Sequence, residues 1–281
     1  MKIVYNDNSY LMLKLNKLKL QQFYLKCQKD KLIGMDTEFY RVSSYYPKLC
    51  LIQISNNSES IIIDPISEKL DKKFIEKLLF NKSILKVFFA ANQDIEIFFK
   101  MYNKIPSPIC DIQICVSLLE KNHSLSYSSV CKKFLAIHVK KDQQFVDWRK
   151  RPLSFEKIKY AFNDVKYLLP LYYKLDQKIN LSEKSLLIKK LHEKLINPLT
   201  YSNKPMQAWK KLRFLPDLKE NLEKLKNICE IREKIAIKEN VPVKKIIKNY
   251  EIKEFFKKNS SYKKKKKIIK KLKKFELKQF L

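Results

Sequence analysis

The first half of the chain alternates short apolar runs with segments of helical periodicity. Five runs have the length and the β-branched and aromatic content of buried strands. They cover residues 32–39, 49–55, 60–64, 85–90 and 109–112. Apolar residues at helical spacing mark residues 74–80, 94–102 and 155–175. Three strands in a meander, followed by strand–helix–strand–helix, predict an α/β domain with a mixed five-stranded sheet flanked by helices.

Strand signals stop after residue 180, and the remaining sequence reads as helix and loop. The prolines at 198, 205, 216 and 242 break this part into short segments. We therefore expect four regions along the chain. They are an α/β domain at 1–180, a linker at 181–203, a small all-α domain at 204–260 and a Lys-rich tail at 261–281. The five consecutive lysines Lys263–Lys267 indicate either a solvated helix or an electrostatic tether for nucleic acid.

Charge points to a polyanionic partner, although composition weakens that argument. The 281 residues carry 60 Lys+Arg against 29 Asp+Glu, a net charge of +31, of which residues 181–281 contribute +19. RNA or DNA is the natural partner of such a surface. However, the chain has one glycine and few alanines and arginines, a balance typical of an AT-rich gene. Part of the charge can therefore be mutational drift, so the argument for a nucleic-acid partner depends on the motifs.

Several protein classes are excluded or disfavoured. At 45% hydrophobic and 12% aromatic residues the chain can build a core, so it is not a disordered protein. No apolar run approaches the length of a bilayer span, and residues 1–10 lack a secretory signal pattern. The six cysteines form no C-x-x-C pair and no zinc pattern with the three histidines. We expect free, mostly buried thiols in a reducing cytoplasm.

Three sets of acidic and phenolic side chains are candidates for chemistry. Asp36 and Glu38 are two apart on a predicted strand and so leave the same face. Asp94 begins a helix after a buried strand, where it can also serve as a first-turn helix acid. Tyr160 and Asp164 are four apart on one helix face, which is more often an amphipathic edge. Each set alone is a moderate signal, but paired carboxylates on a buried strand are costly unless they bind a cation.

The order of these sets resembles the three exonuclease motifs of the DEDD superfamily, in its tyrosine-containing DEDDy subgroup. D-T-E-F lies on the first predicted strand, A-x-x-x-D ends at Asp94, and Y-A-x-x-D joins Tyr160 to Asp164. Further segments follow in register and together resemble the ribonuclease D family over residues 20–177. They are Tyr45-Tyr46-Pro47, Leu49 to Gln53, Asp64-Pro65, Asp111-x-Gln113, Asp147 to Leu153 and Asp164 to Pro170.

The second half carries an independent resemblance. Trp209 to Arg213, Arg232-Glu233-x-x-Ala236, Val241-Pro242 and Ile246 are similar to a helicase-and-RNase-D C-terminal (HRDC) domain, a small helical nucleic-acid-binding module. Many ribonuclease D chains carry two such modules. Here the second is missing or reduced to the Lys-rich tail, which affects the way the family usually clamps RNA.

The resemblance implies a ribonuclease H-like fold and a two-metal 3′–5′ exoribonuclease acting on RNA, with tRNA precursors as the expected substrate. It implies that Asp36, Glu38, Asp94 and Asp164 hold two Mg²⁺ or Mn²⁺ ions, and that Tyr160 orients the attacking water. We expect a cytoplasmic monomer with no membrane partner. Two alternatives are a 3′–5′ DNA exonuclease and an RNA-binding protein with weakened catalysis.

Four positions need separate expectations. By the resemblance, Arg151 contacts the phosphate of the terminal nucleotide, and a structural salt bridge is an equally good interpretation. Three other residues depart from the family pattern. Phe89 stands where His is frequent, Ile112 where Thr is common, and Val146 where Ser is frequent. None removes a proposed metal ligand, and we expect changes in the hydrogen bonds behind the site.

Overall fold

A computed structural model describes residues 10–12, 17–120, 125–140, 146–202, 204–215, 219–257 and 260–277. The interpretation that the first ten residues are no secretory signal falls mostly outside this part, since residues 1–9 are not described. The described chain divides into two compact units. The first comprises residues up to 40 and 49–201, and the second comprises 41–48 and the residues from 202 onward. None of the described helices has the length and apolar character needed to cross a membrane.

The first unit contains a six-stranded sheet in the order β1-β4-β3-β2-β5-β6. The strands are β1 (Tyr10–Met12), β2 (Leu32–Tyr40), β3 (Lys48–Ser55), β4 (Ser60–Ile63), β5 (Leu85–Phe88) and β6 (Ile109–Asp111). Strands β2, β5 and β6 are mutually parallel, whereas β3 and β4 pair antiparallel. The predicted mixed sheet is thus confirmed in its five strands, and the structure adds β1, which pairs parallel to β4 at the edge.

Helices cover both faces of the sheet because residues along each strand alternate between two cores. Ile33 and Phe88 belong to one core, and their neighbours Leu32 and Val87 belong to the other. The helices of this unit are α1 (Lys17–Asp30), α2 (Lys72–Phe80), α3 (Asn92–Tyr102), α4 (Ile112–Leu119), α5 (Tyr127–Leu135), α6 (Phe155–Lys166), α7 (Leu168–Asn180), α8 (Ser185–Leu195) and α9 (Pro198–Tyr201).

Residues 181–203, where the sequence predicts a linker, differ from that expectation. Helices α8 and α9 occupy most of this segment and belong to the first unit. Ile188 and Leu195 lie seven residues apart, on one face of α8, and both are buried. Pro198 does not end regular structure here, because it occupies the first position of α9, where proline is tolerated. These contacts make the segment part of the α/β unit.

The second unit is small and all-helical, as predicted. It contains a 3₁₀ helix (Pro205–Lys211) and the α-helices α10 (Lys219–Lys238), α11 (Val243–Ile246), α12 (Asn249–Phe255) and α13 (Tyr262–Leu277). Ile268 and Leu272 of α13 are buried in its core, four residues apart on one face. The Lys-rich segment is therefore a helix anchored by its apolar face, within the residues that are described.

Candidate active site

The candidate site lies where β2 extends beyond the end of β5. Gly34 is the last residue of β2 paired with β5, opposite Val87. Asp36 and Glu38 therefore lie beyond the β2–β5 ladder. Helix α6 brings Asp164 to the same place. Carboxylate oxygens of these three residues all lie within 4.8 Å of one another. The structure thus joins side chains that are 128 positions apart in the sequence.

The glycine in β2 allows α6 to approach this closely. A Cβ on Gly34 would lie 3.1 Å from Leu168 Cβ and 3.2 Å from the Val165 carbonyl oxygen, which is tighter than ordinary contact. Ser55 on the neighbouring strand β3 donates a hydrogen bond to the same carbonyl at 2.9 Å. Since Val165 follows Asp164 directly, this packing fixes the third carboxylate beside the strand that carries the other two.

Asp94 lies in the first turn of α3 and is only 5% exposed. Thr37, between the two strand carboxylates, donates its hydroxyl to Asp94 Oδ1 at 2.5 Å. The turn before α3 is held by Asp111, whose carboxylate accepts from the backbone N–H groups of Ala90 and Ala91 at 3.0 and 2.9 Å. Ala90 has φ of +60°, a conformation that needs such support. The sequence pattern included Asp111 but gave it no role in positioning.

Tyr160 lies one turn before Asp164 on α6, and the two side chains hydrogen-bond. Its ring packs at 6.0 Å from Trp148, which is 2% exposed. Burial, and next the Asp164 carboxylate, raise the pKa of Tyr160 far above that of a free phenol. The side chain therefore stays protonated and can act as a hydrogen-bond donor in the site.

Four carboxyl groups close together, of which Asp94 is buried and the other three are half-buried, are electrostatically costly. Burial, reinforced by the Asp164 charge, raises the pKa of Asp36, and burial together with Asp36 raises the pKa values of Glu38 and Asp94. Burial raises the pKa of Asp164 to about 8. A divalent cation would relieve this cost, and hard oxygen donors suit Mg²⁺ or Mn²⁺. The set Asp36, Glu38 and Asp164 therefore fits a metal ion.

The carboxylates open into a cavity of about 530 Å³. All five predicted residues line it: Asp36, Glu38, Asp94, Tyr160 and Asp164. The rest of the wall mixes aromatic and polar side chains that were not singled out for this role. They include Phe39, Gln93, Gln113, Tyr127, Ser128 and Lys140. Phe39 and Gln113 lie within the quoted motifs, but none of the six was given a role in the site, because they come from five separate segments that only the fold brings together.

The sequence model of a family described as "3′–5′ exonuclease" matches residues 15–180, more than half of the chain. The chain belongs to this 3′–5′ exonuclease family. The matched residues include all five predicted site residues and nearly all of the sheet. The resemblance seen in the motifs is thereby confirmed at the level of the family.

Relatives of this exonuclease chain carry the name ribonuclease D. The protein from Bartonella henselae is 36% identical over 77% of this chain and 53% of its own length. The one from Sphingobium indicum is 33% identical over 82% of this chain and 60% of its own. The chain thus spans about half to three fifths of these relatives. Among solved structures, Escherichia coli RNase D shares the fold, with a TM-score of 0.75 at 22% identity over 95% of this chain and 75% of that one.

In the exonuclease unit, the sequence left two interpretations of Arg151, a phosphate contact and a structural salt bridge. Its guanidinium forms a two-bond ion pair with Asp64, with Nε–Oδ2 and Nη2–Oδ1 distances of 2.6 Å. It also donates to the carbonyls of Trp148 at 2.7 Å and Cys50 at 3.1 Å. It does not line the acidic cavity. These contacts agree with the structural salt bridge, the second of the two interpretations, and every guanidinium nitrogen has a protein acceptor. The phosphate contact stays a prediction.

The three departures from the family pattern lie in different surroundings. Phe89 lines the cavity and packs edge-on against Tyr127, with ring centroids 5.4 Å apart. Ile112 is fully buried in the core beneath α4, and Val146 packs beside Trp148. Of these three residues, only Phe89 lines the cavity. We therefore expect a change in the hydrogen bonds around the site at position 89 and not at the other two.

All six cysteines are free and buried, as expected. Cys110 and Cys115 lie 3.8 Å apart at their sulfur atoms, and His192 completes a group that could hold a metal. Both ring nitrogens of His192 already have partners, however. Nε2 accepts from the Asp111 backbone N–H at 2.7 Å, and Nδ1 lies 3.0 Å from the Ile188 carbonyl oxygen. His192 thus supports the residue that holds the turn before α3, and burial lowers its pKa, which favours the neutral ring.

Proposed function

We propose that this chain is a metal-dependent exoribonuclease that removes nucleotides from the 3′ end of RNA. One observation carries the proposal: the carboxylates of Asp36, Glu38 and Asp164 lie within 4.8 Å of one another in a cavity that Asp94 and Tyr160 also line. Membership of the 3′–5′ exonuclease family supplies the reaction class. The similarity to proteins named ribonuclease D favours RNA over DNA as the substrate.

The residues would divide the work as follows. Asp36, Glu38 and Asp164 would hold a divalent cation directly, and Asp36 would reach a second one with Asp94 acting through bound water. When bound, two such ions activate a water molecule and stabilise the leaving 3′-oxygen. Tyr160, protonated and hydrogen-bonded to Asp164, would orient the attacking water. Thr37 would keep Asp94 in place by donating its hydroxyl to Oδ1.

We further propose that tRNA precursors are the natural substrate and that the chain acts as a monomer in the cytoplasm. The ribonuclease D names of its relatives support an RNA substrate. The helical unit would bind RNA as an HRDC-like module, which its excess of lysine supports.

Metal-dependent hydrolysis is the deciding experiment. Purified protein is incubated with a 3′-tailed tRNA in Mg²⁺, in Mn²⁺ and in EDTA, and the products are resolved by length. Stepwise release of mononucleotides from the 3′ end in either metal, and none in EDTA, is expected. Matched RNA and DNA strands, assayed in parallel, separate the exoribonuclease from the DNA exonuclease. Binding of RNA without hydrolysis in any metal would instead favour the RNA-binding protein.

A further inference from the structure

A second surface of the exonuclease unit has the chemistry of a phosphate-binding groove. It lies between α1, which lines it from Lys17 to Gln28, and residues 69–77, which lead into α2 and form most of that helix, and it encloses about 740 Å³. Five lysines line it, and all five are exposed: Lys17, Lys69, Lys72, Lys73 and Lys77. They make up five of the thirteen lining residues, almost twice the share of Lys and Arg in the whole chain, 60 of 281.

The five cations of the groove outnumber its acidic groups. Its one lining carboxylate, Asp71, caps α2 by accepting from the Phe74 N–H at 3.1 Å. Within the described part of the chain, none of the five ammonium groups has an ion-pair partner. Lys72 and Lys73 also occupy the first turn of α2, which holds no acidic residue. Cations at a helix N-terminus oppose the helix dipole, and Asp71 is the one lining anion of the groove that offsets them.

The groove and the acidic cavity lie toward the same edge of the sheet. Helix α1 leads into β2 and helix α2 into β5, and these two strands are parallel. The C-terminal ends of both helices meet at the opposite edge, where the Leu85 N–H donates to the Lys31 carbonyl at 2.9 Å. Their N-terminal ends, at or next to which Lys17, Lys69, Lys72 and Lys73 lie, therefore point to the edge where Asp36 and Glu38 extend past β5, whereas Lys77 lies in the last turn of α2.

We propose that this groove binds the phosphates of the RNA strand upstream of the 3′ end held at the acidic cavity. The inference rests on the proposed function and extends it to a second contact on the exonuclease unit itself. A 3′ end can reach the carboxylates only if the strand behind it leaves along the protein surface. Exposed lysines at the same edge match the charge of that strand, and each neutralised phosphate releases a counterion.

The test compares two triple variants of equal charge in the full-length chain. Lys69→Gln, Lys72→Gln and Lys73→Gln remove the groove charge. The control, Lys29→Gln, Lys31→Gln and Lys82→Gln, removes three exposed lysines at or just beyond the other ends of the same two helices. Binding of a fluorescent 3′-tailed RNA is measured in EDTA over a series of salt concentrations, and hydrolysis is measured separately in Mn²⁺.

The groove variant should lower the slope of log K against log salt by about 2, since a single-stranded contact contributes about 0.7. The control should keep the wild-type slope. Hydrolysis by the groove variant should show a raised KM on the tailed RNA with kcat unchanged. A dinucleotide has one phosphodiester, which must lie at the carboxylates, so its cleavage should be the same in all three proteins.

The experiment distinguishes a failure of the groove inference from a failure of the proposed function. If the wild-type chain hydrolyses tailed RNA and both triple variants show the same salt slope and KM, the groove does not bind the strand and only this inference is wrong. If the groove variant also loses cleavage of the dinucleotide, the lysines act at the reacting end and the upstream assignment is overturned. If the wild-type chain cleaves no RNA in any metal, the proposed function itself is wrong.

Discussion

The chemistry of the site depends on how close its carboxylate oxygens lie to one another. Three of them converge within 4.8 Å, and burial raises the pKa of each. A metal ion that replaced the protons would stabilise the charged forms and would also be the agent of hydrolysis. Replacing one carboxylate by an amide keeps the size and removes the charge, so it separates these two effects from folding.

Asp164→Asn should abolish hydrolysis in Mg²⁺ and Mn²⁺ and leave the fold intact. Metal charge stabilisation is worth several kcal/mol, so we expect a fall in rate of about 10³-fold or more. Single-turnover cleavage of a 3′-tailed RNA measures the rate, and circular dichroism checks the fold. Asp36→Asn should behave alike. Activity within tenfold of wild type in either variant would rule out that residue as a metal ligand.

Tyr160→Phe should lower the rate and leave metal binding unchanged, because the phenol is assigned to the water and not to the cation. A positioned hydrogen-bond donor contributes about 10²-fold or more. Isothermal titration with Mn²⁺ gives the affinity, and single-turnover cleavage gives the rate. An equal loss of affinity and rate would place the hydroxyl among the groups that organise the metal instead.

Without metal, stability should depend on pH through the same carboxyls. The folded pKa of Asp164 is about 8, against 3.8 for an ordinary aspartate, so the folded state binds more protons between these values. The stabilisation is therefore lost as pH rises, and the melting temperature in EDTA should fall from pH 6 to pH 8 and level off above. Asp164→Asn should flatten the curve, and saturating Mn²⁺ should do the same for wild type. A melting temperature that rises over this range would contradict the shift.

At the scale of elements, the sequence predicted strands that have a clear local signal. It did not predict contacts between residues far apart in the chain. The predicted strand at 32–39 corresponds to β2 at Leu32–Tyr40 because it begins with a run of apolar residues, which the structure buries. Strands β1 and β6 have three residues each, and only β6 was predicted, because the prolines at 106 and 108 mark the point where it begins. The Arg151–Asp64 pair joins positions 87 apart, and no local signal marks such a partner. The support that His192 gives to Asp111 spans 81 residues and was missed for the same reason.

Strand β5 shows a further limit, since its apolar run contains Lys86. The sequence favours a buried strand, and the structure buries Lys86 completely. Its ammonium donates to three carbonyls, of Ser107 at 2.7 Å, Ile84 at 2.8 Å and Asn81 at 3.0 Å. These carbonyls belong to the turn after α2 and to the segment before β6. One side chain thus ties together the connections on either side of β5.

Lys86→Met should destabilise the exonuclease unit by about 3 kcal/mol, because three carbonyls lose their donor while the apolar stem is kept. Urea unfolding followed by fluorescence measures the change. The exposed Lys82→Met, four residues away, is the matched control and should shift the midpoint by less than about 0.5 kcal/mol. Equal effects of the two substitutions would show that the carbonyls are satisfied without the ammonium.

At the scale of the whole molecule, the division into two units does not follow the chain. Residues Arg41–Lys48 continue from the strand that carries Asp36 and Glu38, yet they pack with the helical unit. Within that unit, Asn240 Oδ1 accepts from the backbone N–H groups of Tyr45 and Tyr46 at 3.2 and 3.1 Å. The helical unit is therefore incomplete without a segment that the sequence assigned to the first domain.

Tyr45 provides the sharpest test of this arrangement. Its hydroxyl donates to Glu233 at 2.6 Å, and Lys211 binds the same carboxylate oxygen at 2.8 Å. The Glu233 side chain is 4% exposed, so removing one donor leaves a buried charge less well compensated.

Tyr45→Phe should cost the helical unit about 1–3 kcal/mol and expose Arg41 and Lys48 to trypsin. Limited proteolysis with mass spectrometry detects those cuts, and the exposed Tyr250→Phe is the control. Resistance at Arg41 and Lys48 equal to wild type would show that apolar packing alone holds the segment, because Tyr45 and Tyr46 also belong to that core.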